Sequence, residues 1–342
     1  MLHTKKIAVC CVRVMLLLPF GFIFYTFNCF AQDIHFSQFF NSPLNLNPGL
    51  AGNFIGDFRI VANQRTQWSS VTTPYSTYSL GADAKHIYKT PFNAGLSIYH
   101  DKAGDSDFST LQVALSLGYT KYIGDSSHTV SFGIQPAFVQ RSINFSDLRF
   151  DNQFNGNNFD NTLGNGENFQ NDGRTYFNLH SGIYWNYNIA QRKSINAGFA
   201  VHNITQPEQT FFKESIPLKQ RYTFHAGGVV KVHNKIDVLP RFIYTSQHKF
   251  KEIILGGSAK YHLNNGDYKN LYAGLYYRNS DAAYITVGLD YRSFHAKVSY
   301  DINISTLEVA SNNRGGFELT IIYIFERYRP VIKRYKACPN YL

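Results

Sequence analysis

From residue 32 onward the chain is a succession of short stretches in which every second residue is apolar, and no apolar run there reaches the length of a membrane helix. A helix crosses a bilayer with about 20 apolar residues, whereas a tilted strand needs about 9–11, of which only alternate ones face lipid. Ile60 and Ala62, Leu80 and Ala82, Leu96 and Ile98, Leu115 and Leu117, and Phe132 and Ile134 keep this two-residue period in the first half. Ile183 to Tyr187, Ile195 to Val201 and Tyr222 to Ala226 resume it, followed by windows at 236–247, 250–262, 269–278 and 282–293. Phe294 to Ile302 and Phe317 to Phe325 complete the series. The pattern predicts about 14 strands, an even number as expected of a single-chain bacterial barrel. The fold class is all-β, a transmembrane antiparallel β-barrel. A propeller would need a repeat of about 40 residues, which is not present.

The chain before this series reads differently. Lys5 and Lys6 precede an apolar run from Val14 to Phe27, and polar sequence begins at Gln32. That is the layout of a secretory signal cleaved after Ala31 or Gln32, which predicts a Gram-negative outer-membrane location. The domain boundaries follow: 1–31 signal peptide, 32–56 an N-terminal segment, 57–326 the barrel, 327–342 a basic tail. Pro43, Pro48, Gly49 and Gly52 break the N-terminal segment into turns, and it is a candidate plug for the lumen. Removing Lys5, Lys6 and Arg13 with the leader lowers the net charge from +10 to +7. The remaining Lys and Arg are scattered along strands or gathered in the tail, with no zinc-finger or RNA-binding signature, so nucleic acid is not an expected partner. Three of the four cysteines lie in the leader, leaving Cys338 and no internal disulfide framework. Aromatic residues form 16% of the chain, which suits the two interfacial girdles of a barrel.

Two connections are long. Residues 151–173 are rich in Asn, Gly and Asp without periodicity, and 204–217 contain Pro207, Phe211, Phe212 and Pro217. Barrels carry long loops outside and short turns in the periplasm, so both are expected at the cell surface. Asp151, Asp160 and Asp172 match no known calcium-loop spacing and read as solvated loop residues. Twelve histidines stand singly, and no His-Glu-x-x-His motif, nucleophile elbow or phosphate loop occurs. Neither an enzyme nor a cofactor is expected. Arg65 faces the lumen by the cost of placing Arg in lipid, about 2–4 kcal/mol at the midplane. Its plain role is a lumenal salt bridge; its sharper one is to hold the N-terminal segment. After Phe325 the tail carries Arg327, Arg329, Lys333, Arg334 and Lys336, candidate contacts for a periplasmic partner.

Four places carry a resemblance to the PorP/SprF family of outer-membrane proteins of the type IX secretion and gliding-motility system. The first is Gln32-Asp33, Ser37-Gln38, then Asn47-Pro48 and Gly52. The second runs from Arg59 through Arg65 to Trp68, and the third is the Asp101 to Gly104 turn. The fourth is Cys338-Pro339 near the C-terminus. Gly49-Leu50 departs from the family's Ala-aromatic pair, and loop 151–173 is longer and more polar than the pattern. The resemblance implies a non-enzymatic protein that binds or anchors a secreted cargo, through the cargo's C-terminal sorting domain, at the cell surface. It implies periplasmic secretion components and outer-membrane lipid as further partners. The alternative from the barrel alone is a porin or small-solute channel.

Overall fold

The computed structural model describes residues 35–67, 73–104, 106–145, 148–160, 162–164, 172–211, 216–305 and 314–327. The leader, Gln32, Asp33, Trp68, Arg329, Lys333, Arg334, Lys336, Cys338 and Pro339 lie outside the described residues. Fourteen antiparallel strands close into one barrel. They are β1 Phe58–Gln67, β2 Tyr75–Ala84, β3 Phe92–Ala103, β4 Phe108–Ile123, β5 His128–Ser142, β6 Gly173–Ala190 and β7 Lys193–His202. They continue as β8 Arg221–His233, β9 Ile236–Gln247, β10 Phe250–Asn265, β11 Tyr268–Arg278, β12 Ala282–Tyr291, β13 Phe294–Asn303 and β14 Arg314–Phe325. Every strand pairs with its sequence neighbours, and β1 closes on β14 with Phe58 opposite Phe325 and Arg65 opposite Glu318. Closure leaves no free edge, the condition for a sheet in hydrocarbon.

The polarity of the wall is inverted relative to a soluble protein. On β4, Leu111, Leu115, Leu117 and Tyr119 are exposed while Thr110, Gln112, Ser116 and Thr120 are buried. The same exchange recurs around the barrel: Ile60, Leu80, Leu96 and Ile321 face out, and Asn63, Ser79, Ser97 and Thr320 face in. Only a lipid solvent makes that outer face favourable. Outward aromatics pair across strands near one rim, as in Phe92–Tyr119, Tyr268–Tyr291 and Phe294–Tyr323 at 5.5, 5.1 and 4.7 Å. Phe138–Phe177 and Phe224–Phe242 do so nearer the other.

The two rims differ. Where β1 begins and β14 ends, the strand connections are short; the longest joins β2 to β3 through a 3-10 turn, Ile87–Lys89. We call this the turn rim. The opposite loop rim holds the long connections between β5 and β6, between β7 and β8, and between β13 and β14. The β5–β6 connection begins at residue 143, earlier than the Asn-rich composition suggests, and contains a 3-10 turn, Asp151–Gln153, and a bridge between Phe154 and Phe159. Strand β6 in turn reaches further than its Ile183–Tyr187 pattern, because its inward positions Asn178 and His180 are polar and buried in the lumen.

The lumen is not empty. Residues 35–56 run through it as three short turns, Phe39–Asn41, Pro43–Leu46 and Pro48–Leu50. Phe39 and Leu46 pack with Ile243, Ile254, Tyr276 and Tyr284 of the wall, with Phe40 and Leu50 at the margin. The apolar core of this protein therefore sits inside the barrel, between the segment and β9–β12.

Candidate functional site

The N-terminal segment is held at three depths, and its family-pattern residues make most of the contacts. Near the loop rim the first anchor is ionic. The backbone N–H groups of Ser37 and Gln38 donate to the Glu318 carboxylate at 2.7 and 3.1 Å. The Ser37 hydroxyl donates to Asp301 at 2.7 Å, and the Tyr284 hydroxyl donates to the Ser37 carbonyl at 2.7 Å. Gln38 Nε2 donates to Ser299 Oγ and to the Glu318 carbonyl. Arg65 pairs with Asp301 at 3.3 Å and donates to the His35 carbonyl. Arg278 pairs with Glu252, Asp281 and Asp301 at 3.2, 2.9 and 3.3 Å. Two guanidiniums and three buried carboxylates thus form one network around a two-residue turn of backbone. Each ion is expensive to bury alone, and here each has a charged or hydrogen-bonded partner.

Midway down, the backbone of the segment touches the wall. Asn47 Nδ2 donates to the Ile183 carbonyl at 2.8 Å and meets His225 Nε2 at 3.1 Å. Its Oδ1 accepts from Gly49 N, which closes the turn begun by Pro48. A Cβ on Gly133 would collide with the Pro48 carbonyl, and one on Gly182 would collide with the Asn47 amide. These inward glycines let the turn lie against β5 and β6. Gln135 and His202 complete the level by donating to the Leu44 and Leu46 carbonyls at 3.1 and 3.3 Å.

Close to the turn rim, Gly52 N donates to Asp83 at 2.8 Å, and Asp83 is itself bidentate to Arg59 at 2.9 and 2.7 Å. Gly52 has φ +75°, a left-handed conformation that favours glycine. The Arg59 guanidinium also lies 4.5 Å over the Phe54 ring. The segment therefore descends from the loop rim to the turn rim before entering β1.

The rims carry the remaining predicted residues. At the loop rim Asp101 accepts from Thr77 at 2.6 Å, and Gly104 turns the chain after β3 with φ +68°. Loop β7–β8 folds over this end: Phe211 meets Phe108 and Phe145 edge-on at 6.2 and 6.5 Å, and Glu208 pairs with Arg174 at 3.2 Å. Phe154, Leu163 and Ile216 remain exposed in the two long loops. At the turn rim, Arg327 N donates to Asp57 at 2.8 Å and its guanidinium lies 4.9 Å over Phe58. Beside it is a recess of about 1030 Å³ lined by Asp57, Phe58, Lys85, His86, Tyr88, Lys89 and Arg327. His86, Tyr88 and Lys89 have φ between 52° and 63°, and Tyr88 is 95% exposed.

The structure brings Ser37, Gln38 and Arg65 into one cluster, places Asn47, Pro48 and Gly52 along the same segment, and leaves Asp101, Gly104 and Arg327 apart at the rims. Sequence reasoning missed Asp83, Glu252, Arg278, Tyr284, Asp301 and Glu318. Their one signal is a charge or a hydroxyl at an inward position of an alternating strand.

A solved outer-membrane channel of similar fold agrees with this architecture. CymD, a monoaromatic hydrocarbon channel, is similar in fold at 8% identity and a TM-score of 0.50, covering 84% of this chain and 94% of its own. The Ralstonia pickettii toluene transporter TbuX gives 11% identity and a TM-score of 0.49, covering 83% and 92%. The Pseudomonas putida toluene transporter TodX gives 10% and 0.48, covering 82% and 92%. No curated protein sequence matches. Residues 28–323 match the family described as Type IX secretion system membrane protein PorP/SprF. With a closed lipid-facing barrel and the Ser37-Gln38 turn of the family pattern seated inside it, this chain belongs to the PorP/SprF family of outer-membrane proteins of type IX secretion.

Proposed function

We propose that the protein anchors a secreted cargo at the cell surface without catalysis, the long loops facing outward and the turn rim facing the periplasm. The observation that carries this reading is the lumenal segment, hydrogen-bonded to the wall at three depths. A barrel filled by its own chain works at its rims rather than through its middle. Loops 143–172 and 203–220 offer exposed Phe154, Leu163 and Ile216 for a protein partner, and apolar anchors of this kind dominate interfaces. A cargo's C-terminal sorting domain is the expected ligand there. The turn-rim recess, with Lys85, Lys89 and Arg327 beside exposed Tyr88, suits an acidic periplasmic component of the secretion system. Four further cations among residues 328–342 are candidate contacts for the same partner. Export requires removal of the leader after Ala31 or Gln32.

The test is affinity capture of the tagged protein from detergent-solubilised outer membranes, read by mass spectrometry. Recovery of a large secreted protein with a C-terminal sorting domain, or of periplasmic secretion components, supports the anchor. Recovery of the barrel alone, together with stable ion conductance in planar bilayers, overturns it in favour of a porin.

A further inference from the structure

The segment fills one side of the lumen more completely than the other. Against β4–β7 the inward positions are buried: Ser116, Ser131, Gln135 and Ala200 have almost no accessible surface. Across the lumen, Arg241, Lys260, Tyr272 and Lys297 stay part-exposed although they point inward from β9, β10, β11 and β13. Solvent-sized space therefore remains beside them. Each lies in the half of its strand nearer the turn rim.

Strand register explains why Lys260, Tyr272 and Lys297 converge. Lys260 is paired with Tyr272, Tyr272 with Gly288 and Gly288 with Lys297, which makes one lateral row over four strands. A Cβ at Gly288 would strike the Lys297 side chain, so the missing Cβ lets that side chain lie along the wall toward Tyr272. The Lys297 ammonium sits 4.5 Å from the Tyr272 ring centroid, and the Lys260 ammonium 5.8 Å from the same ring. Arg241 and Lys297 both lie over Phe40 of the lumenal segment, at 5.7 and 5.3 Å.

Among the described residues none of these three cations has an ion pair. The nearby carboxylates are already engaged: Asp290 takes Asn270, Tyr272 and His295, and Asp237 takes Arg192 and His262. Among the described residues Lys297 donates only to the Asn41 amide oxygen, at 3.3 Å. Elsewhere in this lumen Arg59, Arg65 and Arg278 are each matched to a carboxylate. We propose that Arg241, Lys260 and Lys297, with the Tyr272 ring as a floor, form a binding site for a small oxyanion, carboxylate or phosphate, that enters from the turn rim. Charge-assisted hydrogen bonds in a space screened from bulk solvent would hold it. This site is independent of the cargo reading.

The experiment is calorimetric titration of citrate, and separately of pyrophosphate, into the purified full chain in detergent at low salt. Binding of either anion is expected, weakening as salt rises. The anion that binds more tightly names the class. Arg241→Gln and Lys297→Gln should each weaken it about tenfold or more, the scale of a lost charge-assisted bond. Both residues touch the lumenal segment, so Lys260→Gln, which among the described residues has no ion pair, hydrogen bond or ring contact with it, gives the same test with less risk. Lys251→Gln, exposed on the outer face of β10, should leave binding unchanged. No heat with either anion, or equal affinity in Lys260→Gln and the unaltered protein, overturns the proposal.

Discussion

At the scale of single residues, the loop-rim network is the most exacting feature. Arg278 and Arg65 are 4% and 1% exposed, and among the described residues Arg278 is the guanidinium paired with Glu252, so removing it strands that buried carboxylate. Arg278→Leu is expected to cost about 3–5 kcal/mol, the range for breaking a buried pair. The midpoint of unfolding in urea, read by the gel mobility shift of folded against unfolded barrel, checks it. His35 gives the same network a pH response. Burial, then Arg65 and Arg278, hold its imidazole well below the ordinary value, so it docks neutral, though its ring lies 3.5 Å from Glu252. Released, it regains a pKa of about 6.5. Its docked pKa is the lower of the two, so docking is strongest above about pH 6.5 and weakens as pH falls through the window beneath it. Protease cleavage within residues 35–56 should therefore rise between pH 7.5 and 5, and His35→Gln should flatten that rise. Gly133 tests packing instead of charge. Gly133→Leu places atoms where the Pro48 carbonyl sits, and an overpacked site costs about 1–3 kcal/mol or ejects the turn. The protease assay at pH 7.5 separates these two results.

At the scale of elements, the lumenal segment is the unit that decides whether the barrel is open. Deleting residues 35–54 removes the turns that cross the lumen and leaves β1 intact. The expected outcome in planar bilayers is steady conductance from the deleted form and none from the full chain; equal traces would mean that the segment does not seal the pore. The strands themselves were legible in the sequence because lipid imposes a strict two-residue period on the outward face, as Phe294 to Ile302 displays. The ends of β5 and β6 were less legible, since beyond the hydrocarbon that period is no longer enforced. Ser37, Gln38 and Asn47 stood out through the family pattern, but what they bind did not. Glu318 lies 281 residues from Ser37, and no local rule joins such a pair. Gly133 and Gly182 were invisible for a related reason: a glycine on a strand reads as a weak strand residue until the backbone that crowds it is known.

At the scale of the whole molecule, the wall and its rims separate stability from recognition. The belt of outward Leu, Ile, Phe and Tyr side chains fixes the protein in lipid, and the loops can change without disturbing it. Replacing residues 151–170 by a short Gly-Ser turn should leave the barrel's gel mobility shift unaltered, since the bonds of β5 to β6 run from Ser142 to Gly173. Loss of captured cargo with the mobility shift retained would assign the loop to recognition; retained cargo would move the contact to loop 203–220 or elsewhere. The route of residues 35–56 also has a bearing on biogenesis. Ser37 and Gln38 are gripped by Asp301 and Glu318, on the last two strands of the barrel, and β14 is also the strand that seals the cylinder against β1. The carboxylates that grip Ser37 and Gln38 therefore belong to the same strands that shut the seam. Completion of the barrel and formation of the loop-rim anchor depend on the same strands, so a chain lacking β13 and β14 would have no seal and would keep only the anchors at Asn47 and Gly52.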